Sequence, residues 1–218
     1  MIQHVYERAS LARYTTSTII ATDDEQVYEV ARSFGARVRM TRRDHASGTD
    51  RVAEIASSED ASIVVNIQGD EPLIDPNDID IAILPLIHDS LLEMSTLKKR
   101  IEDPREVDDP NVVKVVTDRQ GDAIYFSRAP IPFERDAGTR FACYKHIGLY
   151  VYRRDFLLNF STLPIGPLET AERLEQLRAI ENGYRIRVVE TEYESIGVDT
   201  PADLERVSRL FEVAEPRV

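Results

Sequence analysis

The chain is 218 residues long, which at about 150 residues per domain suggests one domain, residues 1–218, with a sizeable core. Lys and Arg number 27 against 39 Asp and Glu, a net charge of −12 at pH 7, and this excludes a general nucleic-acid binder, because phosphate-backbone binding needs cations that displace counterions. A composition of 42% hydrophobic residues with 9 Gly and 11 Pro excludes disorder and low complexity, and the single Cys143 excludes an internal disulfide or a multi-cysteine zinc site.

A reducing cytoplasm fits that cysteine count. No apolar run approaches the roughly 20 residues that cross a bilayer, and the opening MIQHVYER lacks the basic-then-apolar pattern of a secretory signal. Short β-branched runs alternating with amphipathic stretches predict an α/β fold built from βαβ units. Ser17 to Ala21 and Ser62 to Ile67 read as buried strands, each entering an acidic turn. Between them, Glu25 to Phe34 reads as a helix closed by Gly35, Arg37 to Met40 as a short strand and Thr49 to Ala56 as a helix, so the first half is expected to be doubly wound. Val112 to Val116 and Ala123 to Phe126 flank the turn signal DRQGD and predict an antiparallel hairpin. Lys145 to Val151 follows as a strand, then helices over Arg154 to Phe160 and Leu168 to Ile180, a strand over Ile186 to Val189 and a last helix from Pro201.

Four constellations carry candidate chemistry. QGDEP (68–72) and GVDTP (197–201) each set an Asp two residues before a proline, which biases the preceding residue toward extended backbone and holds the carboxylate at a strand tip. Ligands of open α/β sheets bind outside such tips. Two Asp residues without histidines, Asp70 and Asp199, suit a Mg²⁺ ion that shares substrate phosphates. Asp199 reads equally as the start of a helix, with Thr200 as N-cap, Pro201 at the first helical position and Asp203 in the first turn. Next, RRDHASGTDR (42–51) is a polar loop entering a helix, in which Gly48 gives backbone freedom and first-turn N–H groups face the crevice. A helix capped by Ser47 or Thr49 accounts for the same pattern, and His45 reads as a loop residue.

In the strand HIGLYV (146–151), alternation puts His146, Gly148 and Tyr150 on one face, and a glycine between two hydrogen-bonding side chains leaves room for a ligand. A half-solvated face or subunit interface is the competing reading. On the helix over 168–180, Glu169, Glu172, Glu175 and Gln176 accompany the apolar stripe Leu168, Ala171, Leu174 and Leu177; from the pattern alone Glu175 and Gln176 read as a solvated face. Arg128 suits a bidentate carboxylate or phosphate contact, or a surface salt bridge.

Together HASGTDRVAE (45–54), VNIQGDEP (65–72), NVVKVVTD (111–118), YFSRAPIP (125–132), KHIGLYVYRRDFL (145–157), PLETAERLEQLRAIENG (167–183) and GVDTPADLERV (197–207) resemble, in order along nearly the whole chain, the 3-deoxy-manno-octulosonate cytidylyltransferase (CMP-KDO synthetase) family. The resemblance implies a nucleotide-diphospho-sugar transferase-like fold: a Rossmann-like mixed sheet in three α/β/α layers, with an antiparallel portion for dimerisation and sugar binding. It implies a homodimer that joins CTP and KDO into CMP-KDO and pyrophosphate for lipopolysaccharide synthesis. Asp70 and Asp199 match magnesium ligands, Gly48, Thr49, Arg51 and Gln68 fall in segments that receive cytidine, and Arg128, His146, Tyr150, Glu175 and Gln176 match positions that hold KDO. Asp70, Asp199 and Arg128 are the expected catalytic set.

One departure bears on activity. The family opens with a strand and a triphosphate-wrapping loop of the form PAR-x-x-S-x-R-[LF]-PGKPL, which this sequence lacks. Met1 is accordingly expected to be an internal methionine of a longer natural protein, and the 218 residues alone are expected to expose a sheet edge and to lose several kcal/mol of charge stabilisation. The alternatives are a cytidylyltransferase for another acidic sugar, such as sialic acid or 8-amino-KDO, and a catalytically weak binding or assembly subunit.

Overall fold

A computed structural model describes residues 1–136, 141–194, 196–198 and 200–214, without the side chains of 212–214. The chain opens with a helix that periodicity did not reveal, α1 (Ile2–Ala9), which buries Val5 and Ala9. The first strand, β1 (Ile20–Thr22), starts three residues later than expected, where the Ile20 N–H finds the Arg37 carbonyl at 2.9 Å. In α2 (Glu25–Ser33) the Asp24 carboxylate accepts from the N–H groups of Gln26 and Val27, and the chain leaves through Gly35 at φ +80°. The next strand, β2 (Val38–Met40), runs parallel to β1. Ser47, not Thr49, caps α3 (Gly48–Ser57), accepting from the Asp50 N–H at 3.2 Å.

The run that became β3 (Ile63–Asn66) was legible, whereas α4 (Pro76–His88) and β4 (Met94–Arg100) were not. The N-terminus of α4 is capped by Asp75 with Pro76 in the first turn. In β4 the sequence MSTLKKR looks polar, yet its first four residues and Lys99 are buried, and its lysines find partners, Lys98 donating to Thr117 Oγ1 and Lys99 to the Glu192 carbonyl. A single turn, α5 (Arg105–Asp108), leads to the hairpin β5 (Lys114–Thr117) and β6 (Ala123–Ser127), formed as expected about Gly121 at φ +86°. The longest strand, β7 (Tyr144–Arg153), continues into α6 (Arg154–Phe160).

The single helix expected over 168–180 is two: α7 (Pro167–Glu172) and α8 (Gln176–Glu181), separated at Arg173, whose φ is +52°. The Glu181 carboxylate of α8 folds back to accept from the N–H groups of Leu168 and Glu169 at 2.9 and 3.1 Å, closing the pair into a hairpin. Strand β8 (Ile186–Glu190) and helix α9 (Pro201–Ala214) complete the chain.

Five strands lie in the order β6-β5-β7-β4-β8, with β3 also paired to β7. Strand β7 is antiparallel to β3, β4 and β5, and β4 is parallel to β8. The doubly wound first half is therefore corrected: among the described residues β1 pairs with β2, and β3 with β7, in two separate sheets. The gap between β1 and β3 is a cavity of about 460 Å³. Alternation along β7 builds the core on both faces: Ile147, Leu149 and Val151 meet Ile79, Ile83 and Leu86 of α4, while Tyr152 joins Phe126, Phe156 and Phe160 on the other side.

Candidate active site

The cavity between β1 and β3 collects three of the residues expected to receive a nucleotide. Gly48 and Arg51 of α3 and Gln68 after β3 line it, beside Gly69. Arg51 is held in place by an ion pair to Asp23 at 3.0 Å and by the Thr41 hydroxyl. That guanidinium in turn keeps the Asp23 carboxyl below the usual carboxylate range. Thr49 turns the other way: it is buried, and its hydroxyl donates to Glu175 Oε2 at 2.5 Å, across 126 positions of sequence.

Asp70 sits in the turn after β3. Its carbonyl accepts from the Val198 N–H at 3.0 Å, which fastens the segment preceding Asp199 to the tip of β3. Asp199 lies outside the described residues. Among the described residues no group of three or more His, Cys, Asp and Glu side chains gathers as a metal cage. The acidic turn at Asp70 offers hard oxygen donors, the set that suits magnesium when phosphates and water complete the shell.

Residues from β7 and α8 converge on a second region. A register shift between Thr96 and Leu97 sets Thr96 opposite Tyr150 and Leu97 opposite Ile147, a bulge that gives β7 extra length. Thr96 Oγ1 lies 2.7 Å from the Leu149 carbonyl and 2.9 Å from His146 Nε2. With the hydroxyl proton donated to Leu149, the His146 Nε2–H donates to Thr96 and Nδ1 is left as an acceptor. The His146 ring also meets Phe126 edge-on at 5.0 Å and Tyr150 at 5.2 Å. Enclosure by these groups pulls its pKa down to about 3, so the ring is neutral at physiological pH. Burial, followed by Tyr152 and Glu175 nearby, pushes the Tyr150 phenol well above its ordinary value. Gly148 opens toward Glu71, whose Oε1 would lie 3.9 Å from a Cβ at that position.

The expected solvated face at Glu175 and Gln176 is not one: Gln176 is buried and Glu175 is half-buried against Thr49. Arg128 follows β6, its Nε donating to the Glu172 carbonyl at 2.8 Å and its Nη1 to the Pro110 carbonyl at 2.9 Å.

Residues 1–188 match the model of a family described as cytidylyltransferase. The chain belongs to the cytidylyltransferase family. It is 75% identical over 214 residues to the 3-deoxy-manno-octulosonate cytidylyltransferase of Solibacter usitatus, covering 98% of this chain and 85% of that relative. It is 58% identical to the same-named protein of Geobacter metallireducens, over 95% of this chain and 85% of the relative. A solved CMP:2-keto-3-deoxy-manno-octonic acid synthetase complexed with CTP superposes with a TM-score of 0.94 at 44% identity, over 98% of this chain and 88% of that one. A glucose-1-phosphate thymidylyltransferase structure from Bacillus anthracis, 17% identical with a TM-score of 0.66, shares the nucleotidyltransferase fold alone.

Sequence reasoning missed Thr96, whose hydroxyl lies 2.9 Å from His146 Nε2. Thr96 lies on the unread strand β4, and its polar neighbours concealed it. Glu172 stands among the candidate residues of the 168–180 pattern, but its bonds to Arg128 depend on the break at Arg173, which a helical repeat does not register.

Proposed function

We propose that this cytidylyltransferase transfers the cytidylyl group of CTP to KDO, giving CMP-KDO and pyrophosphate. Identity of 75% over 98% of the chain to a 3-deoxy-manno-octulosonate cytidylyltransferase carries the reading. The anomeric hydroxyl of KDO attacks the α-phosphorus of CTP in line, the bond to the β-phosphate oxygen breaks, and the hydroxyl proton passes to solvent or a nearby base.

Gly48, Arg51 and Gln68, which share one cavity, receive the cytidine part, and Arg51 arrives already fixed by Asp23. Thr49 joins this region to the sugar region through Glu175. There His146 supplies a neutral acceptor, Tyr150 a protonated hydroxyl, Gln176 an amide, and Arg128 the cation for the sugar carboxylate. Two anions approach a protein of net charge −12, so their repulsion must be compensated locally. Asp70 and Asp199 are the residues that would hold Mg²⁺, whose charge, when bound, offsets that of the triphosphate. The bond from the Val198 N–H to the Asp70 carbonyl ties residues 196–198 to the turn after β3.

The reading includes a homodimer in the cytoplasm. The dimer is supported by the exposed aromatics Phe133 and Phe141, which lie in sequence between β6 and β7, and the compartment by the lone cysteine. Sedimentation at micromolar concentration tests the dimer. The activity is tested by pyrophosphate release: turnover is expected with CTP, KDO and Mg²⁺ together, and loss on chelation with EDTA. Turnover that survives chelation would refute the metal assignment. Failure to turn over and to bind CTP would refute the function.

A further inference from the structure

A group of polar contacts at the junction of β6 and α7 converges on Glu172, a residue with no role in the reaction described above. Its Oε1 accepts from the Ser127 hydroxyl at 2.6 Å and from the Tyr125 hydroxyl at 3.3 Å, and its Oε2 accepts from the Arg128 backbone N–H at 2.9 Å. Burial raises the carboxyl, but the donors from Arg128, Ser127 and Tyr125 outweigh it and hold the group below the ordinary glutamate value. The acid is thus an anion wherever the protein is folded near neutral pH.

The backbone of the same residue is used as well. In an uninterrupted helix the Glu172 carbonyl would accept from the N–H of residue 176. Here Arg173 adopts the left-handed region at φ +52°, α7 ends, and the freed carbonyl takes the Arg128 Nε–H at 2.8 Å. With Nη1 held by the Pro110 carbonyl at 2.9 Å, the guanidinium plane is fixed by two carbonyl contacts. The Arg128 backbone is fixed too, since its carbonyl accepts from the buried Lys114 ammonium at 2.6 Å. With the Nε–H committed, what this leaves for a ligand is the end of the fork, the two N–H groups of Nη2 and the second N–H of Nη1, which suit a carboxylate.

We propose that Glu172 is a positioning residue that aims Arg128 at the carboxylate of the sugar acid. The inference rests on the reading that Arg128 meets the sugar. Glu172 acts through the orientation of Arg128 and does not touch the substrate. The break at Arg173 is part of the device, because it turns one residue's carbonyl and carboxylate onto the same arginine. An aimed guanidinium loses little freedom when the substrate binds, so the effect belongs to sugar affinity.

Steady-state kinetics of Glu172→Ala, Glu172→Gln, Arg128→Ala and the double variant Glu172→Ala/Arg128→Ala test this. Glu172→Ala keeps the carbonyl that takes the Arg128 Nε–H but removes the carboxylate that holds the Arg128 backbone N–H, Ser127 and Tyr125; with the arginine's backbone released it is expected to raise KM for KDO by about tenfold and to leave KM for CTP within about twofold. Glu172→Gln keeps the shape and one acceptor; it should fall between Glu172→Ala and the parent, and it carries the test if Glu172→Ala does not fold. In the double variant the Glu172 effect should vanish, because the arginine it aims is gone. If Glu172→Ala adds its full penalty on top of Arg128→Ala, or raises both KM values alike, the positioning role is overturned. If Arg128→Ala itself leaves the KDO KM unchanged, it is the underlying reading of Arg128 that fails, a result distinguishable from the first.

Discussion

His146 shows how one side chain's surroundings set its chemistry. The ring sits against Phe126, Tyr150 and Thr96 and titrates at about 3 in the folded protein, against roughly 6.5 in an unfolded chain. A depressed histidine means the unfolded state takes up the proton first. Stability contributed by the neutral ring is therefore complete above about pH 6.5 and is lost as pH falls toward 3, at up to about 1.4 kcal/mol per pH unit. Urea unfolding of the parent and of His146→Gln at pH 7, 5 and 4 should show the variant losing less stability on acidification. Parallel pH profiles would contradict a neutral ring. The same depression predicts no limb near pH 6.5 from His146 in the profile of sugar binding.

Among elements, the α7–α8 hairpin is the feature least accessible to pattern reading. The spacing of Leu168, Ala171, Leu174 and Leu177 satisfies a helical repeat throughout, yet the chain turns left-handed at Arg173. What decides this is remote bonding: the Glu181 carboxylate caps the first turn of α7 from the end of α8, and Arg128 claims the Glu172 carbonyl. Gly166 makes room for that cap, since a Cβ there would collide with the Glu181 carboxylate. Gly166→Ala is expected to displace Glu181 and to cost about 1 kcal/mol, the worth of a helix cap. Thermal unfolding measures it, and a cost that disappears when Gly166→Ala is made in the Glu181→Ala background, where the cap is already absent, shows that the collision is the cause. The hairpin β5–β6, by contrast, was readable because its turn residues and alternation are local. Strand β4 was not, because its lysines are accommodated by Thr117 and by the Glu192 carbonyl, partners that a local window does not contain.

On the scale of the whole molecule, the sheet is unevenly tied. Strand β7 is bonded to β3, β4 and β5, whereas β1 and β2 form a ladder of their own across the cavity. Two-stranded ladders are marginal unless packing supports them. Amides of β1 and β2 are expected to exchange with deuterium at least about tenfold faster than those of β4 and β7. Equal protection would show that the two sheets open as one unit. Local order along the chain was enough to determine the α/β class, most strands and the acidic turns of the candidate site, because turn chemistry and side-chain alternation act over a few residues. Tertiary structure alone decided that β1 and β3 part, that Thr49 turns toward Glu175 instead of the cavity holding Gly48, Arg51 and Gln68, and that Glu172 grips Arg128. Each of those outcomes depends on hydrogen-bond partners tens of positions away, which no local period encodes.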